Sequence, residues 1–295
     1  MKRIYILTAL FLSACLQEIP ANWTPGPTVE LALPTYVTET SVPTPVLLIP
    51  TVTPTIVYLP PATLPAGPIS MIAVGDSLTQ GDGDETGRGY PGRIIELVNA
   101  IRPGSTITNF GQSGWSSDAL IAGDQGYLGQ IHRAVDEIRS ANEQRRASVV
   151  FVWIGSNDLW YLYEYGGDVN SEMEAQDIQR FSENLDTILS ELRVAGAQVI
   201  IALLDDQSKR PVAQKGEAYT SITVEELDRM SFQVQRYNEA ITKKANRYGA
   251  LTVDFYSTTI FTDPATLYDD GNHPNQAGYD IITQMWFEVL SLILE

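Results

Sequence analysis

Only two histidines occur in this chain, His132 and His273, so proton transfer by an imidazole near neutral pH has two candidates. His273 stands three positions after a carboxylate, in Asp270-Gly271-Asn272-His273-Pro274. His132 sits in Ile131-His132-Arg133-Ala134-Val135, inside a helical pattern with no strand end beside it, and reads as a solvated helix residue. A third group of interest is Ser77, in the turn Gly75-Asp76-Ser77-Leu78-Thr79-Gln80-Gly81. A serine hydroxyl is a poor nucleophile until a neighbouring base takes its proton. Imidazole, with an ordinary pKa of about 6.5, suits that task, and the imidazolium it becomes is stabilised by a carboxylate. Ser77, His273 and Asp270 supply the three parts, and the chemistry they could perform together is acyl transfer.

Such groups must be held by elements. From Ile69 onward, short apolar runs alternate with longer amphipathic ones. Ser70–Val74, Thr106–Phe110, Val149–Ile154, Gln198–Leu204 and Leu251–Phe255 read as strands buried on both faces. Tyr90–Ile101, Gly126–Ala141, Ala175–Val194, Thr223–Tyr248 and Asn275–Leu294 read as helices. Phe181, Leu185, Ile188, Leu189 and Leu192 recur at three- and four-residue steps, and Gly196 follows as a C-terminal cap. This alternation predicts an α/β domain with a parallel sheet covered by helices. Function in such sheets collects at the carboxyl ends of the strands. Four segments fall there: the Ser77 turn, Asn109-Phe110-Gly111-Gln112-Ser113-Gly114-Trp115, Gly155-Ser156-Asn157-Asp158, and the His273 segment.

In that order and spacing the four segments resemble the blocks of the SGNH, or GDSL, hydrolase family, over about residues 70–285. The resemblance implies a three-layer α/β/α sandwich with a five-stranded parallel sheet, flavodoxin-like. It also implies that Ser77 is the nucleophile, His273 its general base and Asp270 the residue that orients His273. Asp269 is the poorer substitute, because the family places the acid three residues before the histidine. The Ser77 N–H, the Gly114 N–H and the Asn157 side chain would form the oxyanion hole. Loss of one such donor typically raises the barrier by roughly 2.7–4 kcal/mol. No metal or organic cofactor is expected.

Other constellations are missing. The chain has no Gly-x-Ser-x-Gly elbow, no His-Glu-x-x-His and no Gly-x-x-x-x-Gly-Lys phosphate loop. Asp82-Gly83-Asp84-Glu85-Thr86-Gly87 begins like a calcium loop, but its twelfth position is Arg93 where a bidentate Glu belongs. It reads as a mobile loop beside Ser77, placed to act as a lid. Trp115, Trp160, Tyr161 and Tyr163 follow the second and third blocks and either line an acyl or sugar subsite or form satellite core.

The chain of 295 residues carries 36 acidic against 19 basic side chains, a net charge of −17, which disfavours nucleic acid as a partner. Its one cysteine, Cys15, excludes an internal disulfide. Met1-Lys2-Arg3, an apolar run and Leu12-Ser13-Ala14-Cys15 resemble a bacterial lipoprotein signal, predicting removal of residues 1–14 and lipidation of Cys15. Residues 15–68, with twelve of the 17 prolines, read as a Pro/Thr-rich tether, about 160 Å long if fully extended. The hydrolase domain is expected over 69–295.

The expectation is therefore a serine esterase held at a bacterial cell surface by a lipid anchor in the membrane. Its substrate would be a small-molecule or glycan ester, short acyl or acetyl. A lysophospholipase or thioesterase is the alternative within the same mechanism, and a non-catalytic surface module binding glycan or protein is the alternative outside it.

Overall fold

The structure, a computed structural model, describes residues 58, 60–215 and 221–294. Cys15, residues 1–14 and most of the Pro/Thr-rich segment lie outside the described residues.

In chain order the domain runs β1 (Ile69–Gly75), α1 (Ser77–Gln80), α2 (Gly89–Ile101), β2 (Thr106–Asn109), α3 (Ser117–Ala122) and a small hairpin of β3 (Gly123–Asp124) with β4 (Tyr127–Leu128). It continues with α4 (Gln130–Glu143), β5 (Ala147–Trp153), α5 (Ser156–Tyr165), α6 (Ser171–Val194), β6 (Gln198–Leu203), α7 (Pro211–Lys215), α8 (Val224–Tyr248), β7 (Leu251–Asp254) and α9 (Gln276–Ser291). Five strands form one sheet in the order β2-β1-β5-β6-β7, and every neighbouring pair is parallel. Among sheet strands this is the flavodoxin-like order, which reverses between β1 and β5. The expected five-stranded α/β/α sandwich is the observed fold.

Both central strands are buried along almost their whole length, which is why they read as unbroken apolar runs. Alternate β5 side chains serve opposite faces. Phe151 and Trp153 pack with Tyr90 of α2 and Trp286 of α9, Trp153 stacking on Phe255 at 4.3 Å. Helices α4, α6 and α8 form the other layer, where Phe181 of α6 stacks on Tyr237 of α8 at 4.1 Å. Packing extends upstream of β1. Leu64 is buried and its N–H donates to Ile293 O at 2.7 Å, while Arg102 binds the carbonyls of Pro65 and Gly67.

The helix expected over Gly126–Ala141 begins only at Gln130, because the β3–β4 hairpin occupies the residues before it. The short α1, α3 and α5 had no sequence signal of their own. Each is anchored from outside: Asp158 of α5, for example, accepts from Ser117 N and Oγ at 2.8 and 2.5 Å and so ties α3 to α5. Among the described residues, no helix is long and apolar enough to cross a membrane.

Candidate active site

The loops at the carboxyl ends of β1 and β5 flank the point where the strand order reverses, where an open parallel sheet leaves a crevice. Ser77 follows β1 and Asn157 follows β5.

The β1 turn is sharply constrained. A Cβ on Gly75 would stand 2.2 Å from Trp153 O and 2.3 Å from Thr79 Oγ1, so only glycine fits. Gln130, at the start of α4 and fully buried, clamps both sides of that residue: Oε1 accepts from Gly75 N and Nε2 donates to Gly75 O, each at 2.8 Å. Asp76 then caps α1, its Oδ1 accepting from Leu78 N at 3.0 Å. Ser77 is thus the first residue of a helix, with its N–H in the turn where helical donors have no helical acceptor.

The His273 segment reaches Ser77 from the far end of the chain. His273 Nε2 lies 2.9 Å from Ser77 Oγ, and His273 Nδ1 lies 2.7 Å from Asp270 Oδ2. The other oxygen, Asp270 Oδ1, accepts the backbone N–H groups of Asn272 and His273 at 2.8 and 2.9 Å. Burial pushes the Asp270 carboxyl up, but the His273 imidazole and these two N–H groups outweigh it and bring the carboxyl down to about 2. Asp269 makes none of these contacts. His132 is exposed on α4, as expected of a solvated helix residue.

The Asn157 side chain reaches the loop that carries Gly114. Asn157 Nδ2 donates to Trp115 O at 2.9 Å, and Gly114, at φ 78°, takes a left-handed conformation that favours glycine. The Gly114 loop is pinned to the Ser77 turn by Ser113 N on Gln80 Oε1 at 2.6 Å and Ser113 Oγ on Asp82 Oδ2 at 2.5 Å. Residues from all four blocks therefore meet at one end of the sheet.

Two expectations need correction. Trp115 and Trp160 are 1% and 3% exposed, and Tyr163 is buried with Trp160, Val169, Val212 and Met230 in a small satellite cluster. These rings support the loops from beneath and present no face to a substrate in this structure. Tyr161 is different: it is partly exposed and its hydroxyl donates to Gly114 O at 2.6 Å. The Asp82–Gly87 loop is also no loose flap. Asp84 is buried and accepts from Thr86 N, Arg88 N and Gly89 N, and from Arg93 at 2.5 and 3.1 Å. These bonds hold its carboxyl well below the usual range despite burial. Its acidic oxygens are spent on the fold, and among the described residues no group of three or more His, Cys, Asp or Glu is placed to hold a metal ion.

Sequence reasoning missed Gln130 and Arg210. Arg210 follows β6, is 2% exposed, and pairs with Asp205 through Nε at 2.8 Å and Nη2 at 2.6 Å. It also missed the state of Asp76, whose carboxyl is raised to about 7 by burial, which outweighs the Leu78 N–H and the nearby Arg210 and His273. Asp76 Oδ2 is buried with no hydrogen-bond partner among the described residues.

A flavodoxin-like sheet with Ser, His and Asp hydrogen-bonded in series at its carboxyl edge defines a class of α/β/α proteins built for covalent acyl transfer. Residues 73–281 match the GDSL-like lipase/acylhydrolase family, and the chain belongs to it. It is 24% identical over 245 residues to a multidomain esterase of Ruminococcus flavefaciens, covering 76% of this chain but only 28% of that protein. It is 23% identical over 232 residues to the uncharacterised protein YpmR of Bacillus subtilis, covering 75% of this chain and 81% of that one. Similar folds occur in Axe2, an acetylxylan esterase from Geobacillus stearothermophilus, with a TM-score of 0.52 at 18% identity over 76% of this chain and 95% of that one. The psychrotrophic esterase EstA from Pseudoalteromonas sp. gives a TM-score of 0.51 at 15% identity, over 76% and 97% of the two chains.

Proposed function

We propose that this chain is a serine esterase that hydrolyses carboxylic esters through an acyl-enzyme on Ser77. The observation that carries the reading is the continuous relay from Ser77 Oγ to His273 Nε2 and from His273 Nδ1 to Asp270 Oδ2. In the first half, Ser77 Oγ attacks the ester carbonyl and its proton passes to His273 Nε2. The tetrahedral oxyanion is held by the Ser77 and Gly114 N–H groups and the Asn157 amide. His273 then gives its proton to the leaving alcohol. In the second half a water attacks the acyl carbonyl, His273 takes that proton, and the acid leaves with Ser77 Oγ reprotonated. Asp270 keeps the imidazole in the productive tautomer and offsets the imidazolium charge.

The substrate is a short acyl or acetyl ester carried on carbohydrate. Supporting this are the fold shared with an acetylxylan esterase and the proline-rich segment, which would hold the domain away from a membrane. Lipidation of Cys15 would anchor it at the bacterial surface; a Cys15→Ala chain released from membranes would agree with that, and one still bound would not.

The activity is tested by hydrolysis of p-nitrophenyl acetate and by fluorophosphonate labelling of the full chain and of Ser77→Ala. Wild type should turn over and label while the variant does neither. An equally active Ser77→Ala removes Ser77 as nucleophile.

A further inference from the structure

The second half of the β3–β4 hairpin, residues 126–128, stands where the sequence pattern read as helix. Its two strands pair across a two-residue turn in which Gln125 and Gly126 both have positive φ, 51° and 84°. Glycine adopts that backbone freely, whereas a residue with a Cβ does so at about 1–2 kcal/mol. A two-residue hairpin turn of this type requires positive φ at both central positions. A Cβ on Gly123 would lie 2.1 Å from Tyr127 O, so the hairpin is drawn tight. Its product is two adjacent apolar side chains turned to solvent: Tyr127 is 61% exposed and Leu128 72%. Single exposed apolar residues are ordinary on a protein surface; these two are neighbours and line one concave surface.

They border a cavity of about 440 Å³ whose opposite wall is Asn109, Phe110 and Gln112, with Arg133 of α4 also lining it. The Arg133 guanidinium lies 4.0 Å from the Phe110 ring centroid, and among the described residues no carboxylate pairs with it, in a chain of net charge −17. The wall is continuous with the catalytic turn. Gln112 N donates to Gly75 O at 3.1 Å, Asn109 Nδ2 donates to Thr79 O at 2.8 Å, and Gly114 comes two residues after Gln112.

We propose that this groove is the subsite for the carbohydrate half of the ester, which rests on the esterase reading above. A pyranose has an apolar C–H face and a rim of hydroxyls. Tyr127 and Leu128 match the face, and the Gln112 amide and the Arg133 guanidinium match the rim. A fatty acyl chain would bury those polar groups without partners, at about 1–3 kcal/mol each, and is disfavoured for that reason. The groove is walled by residues 109–112, which bond the turn that carries Ser77, so a sugar seated there would lie beside that turn.

The test compares full-length wild type, Tyr127→Ala and Arg133→Ala on acetylated xylo-oligosaccharide, p-nitrophenyl acetate and p-nitrophenyl octanoate. Each variant should lose about tenfold in kcat/KM on the oligosaccharide relative to p-nitrophenyl acetate, through KM. Equal losses on all three esters, no loss, or a loss confined to the octanoate overturns the subsite. A calorimetric titration of Ser77→Ala with deacetylated xylo-oligosaccharide decides it without turnover: heat that vanishes in Ser77→Ala/Tyr127→Ala supports the groove, and heat that persists refutes it. If wild type fails on every ester, the esterase reading falls, and the titration still tests the groove separately.

Discussion

Arg210 Nη1 donates to Asn272 Oδ1 at 2.8 Å, so a guanidinium sealed under the end of β6 grips the residue beside His273. The same cation is fixed by Asp205 and lies 4.6 Å from the Phe261 ring centroid. Val212 N adds a bond to Gly271 O at 3.1 Å, next along the same loop. The loop that carries His273 is therefore held from two sides, by Asp270 within it and by residues 205–212, which follow β6.

This makes Arg210 a positioning residue. Lysine cannot reproduce its forked donors, so Arg210→Lys should lose roughly tenfold to a hundredfold in kcat with little change in KM, while Ser77 is still labelled by fluorophosphonate, more slowly. Arg210→Met leaves Asp205 buried without its cation and should unfold about 3–5 kcal/mol more easily. Full kcat in a destabilised Arg210→Lys would reduce the residue to a structural role.

Asp270→Asn should lower kcat by roughly a hundredfold to ten-thousandfold, because the neutral amide no longer enforces the tautomer or offsets the imidazolium. The wild-type carboxyl, brought down to about 2, lies below its ordinary value of 3.8. Its stabilising contribution is therefore complete above about pH 4 and disappears as pH falls through 2. Thermal melts between pH 2 and 5 should decline more steeply for wild type than for Asp270→Asn, and parallel curves would contradict the assignment.

Asp76 has the opposite sign. Its folded value of about 7 exceeds the ordinary 3.8, so the folded state holds a proton that the unfolded chain has released. Stability consequently falls as pH rises from about 4 to 7. Asparagine keeps an Oδ1 acceptor for Leu78 N and removes the ionisation. Asp76→Asn should raise Tm by several degrees at pH 8 and by little at pH 4, the gap corresponding to at most about 4 kcal/mol. A constant difference across that range would mean that Asp76 does not titrate there.

The Asp84–Arg93 pair should prove structural. Asp84→Ala strands a buried guanidinium and three backbone donors, and Arg93 retains only Asp280, at 2.7 Å, as a carboxylate partner. Urea unfolding should show a loss of about 3–5 kcal/mol. A loss under 1 kcal/mol would show that the 82–87 loop is held by other contacts.

The central strands β1, β5 and β6 were legible because burial on both faces leaves a continuous apolar signature, and the long helices because their stripes repeat every three or four residues. The edge strands β2 and β7 were expected to be buried likewise but are largely half-buried or exposed, since each has a sheet neighbour on one side alone. Residues 126–129 were not legible, since the true periodicity of α4 starts near Ile131 and nothing local distinguishes a hairpin leading into it. Gln130 and Arg210 carried no sequence signal either. Their partners, Gly75 and Asn272, are 55 and 62 positions away. Trp115 and Trp160 were ambiguous for a related reason, because an aromatic ring in a loop segment carries no mark of the side on which the core lies.

By itself the order of residues determined which groups exist to do chemistry and which segments become strands, because side-chain type and apolar spacing are local properties. Only the tertiary structure decided which of them meet. Ser77 and His273 are separated by 196 positions, and their contact depends on the order in which five strands pair and on a buried cation that sets the final loop. Those are long-range choices, stabilised by packing and paired charges that no short window of the chain contains.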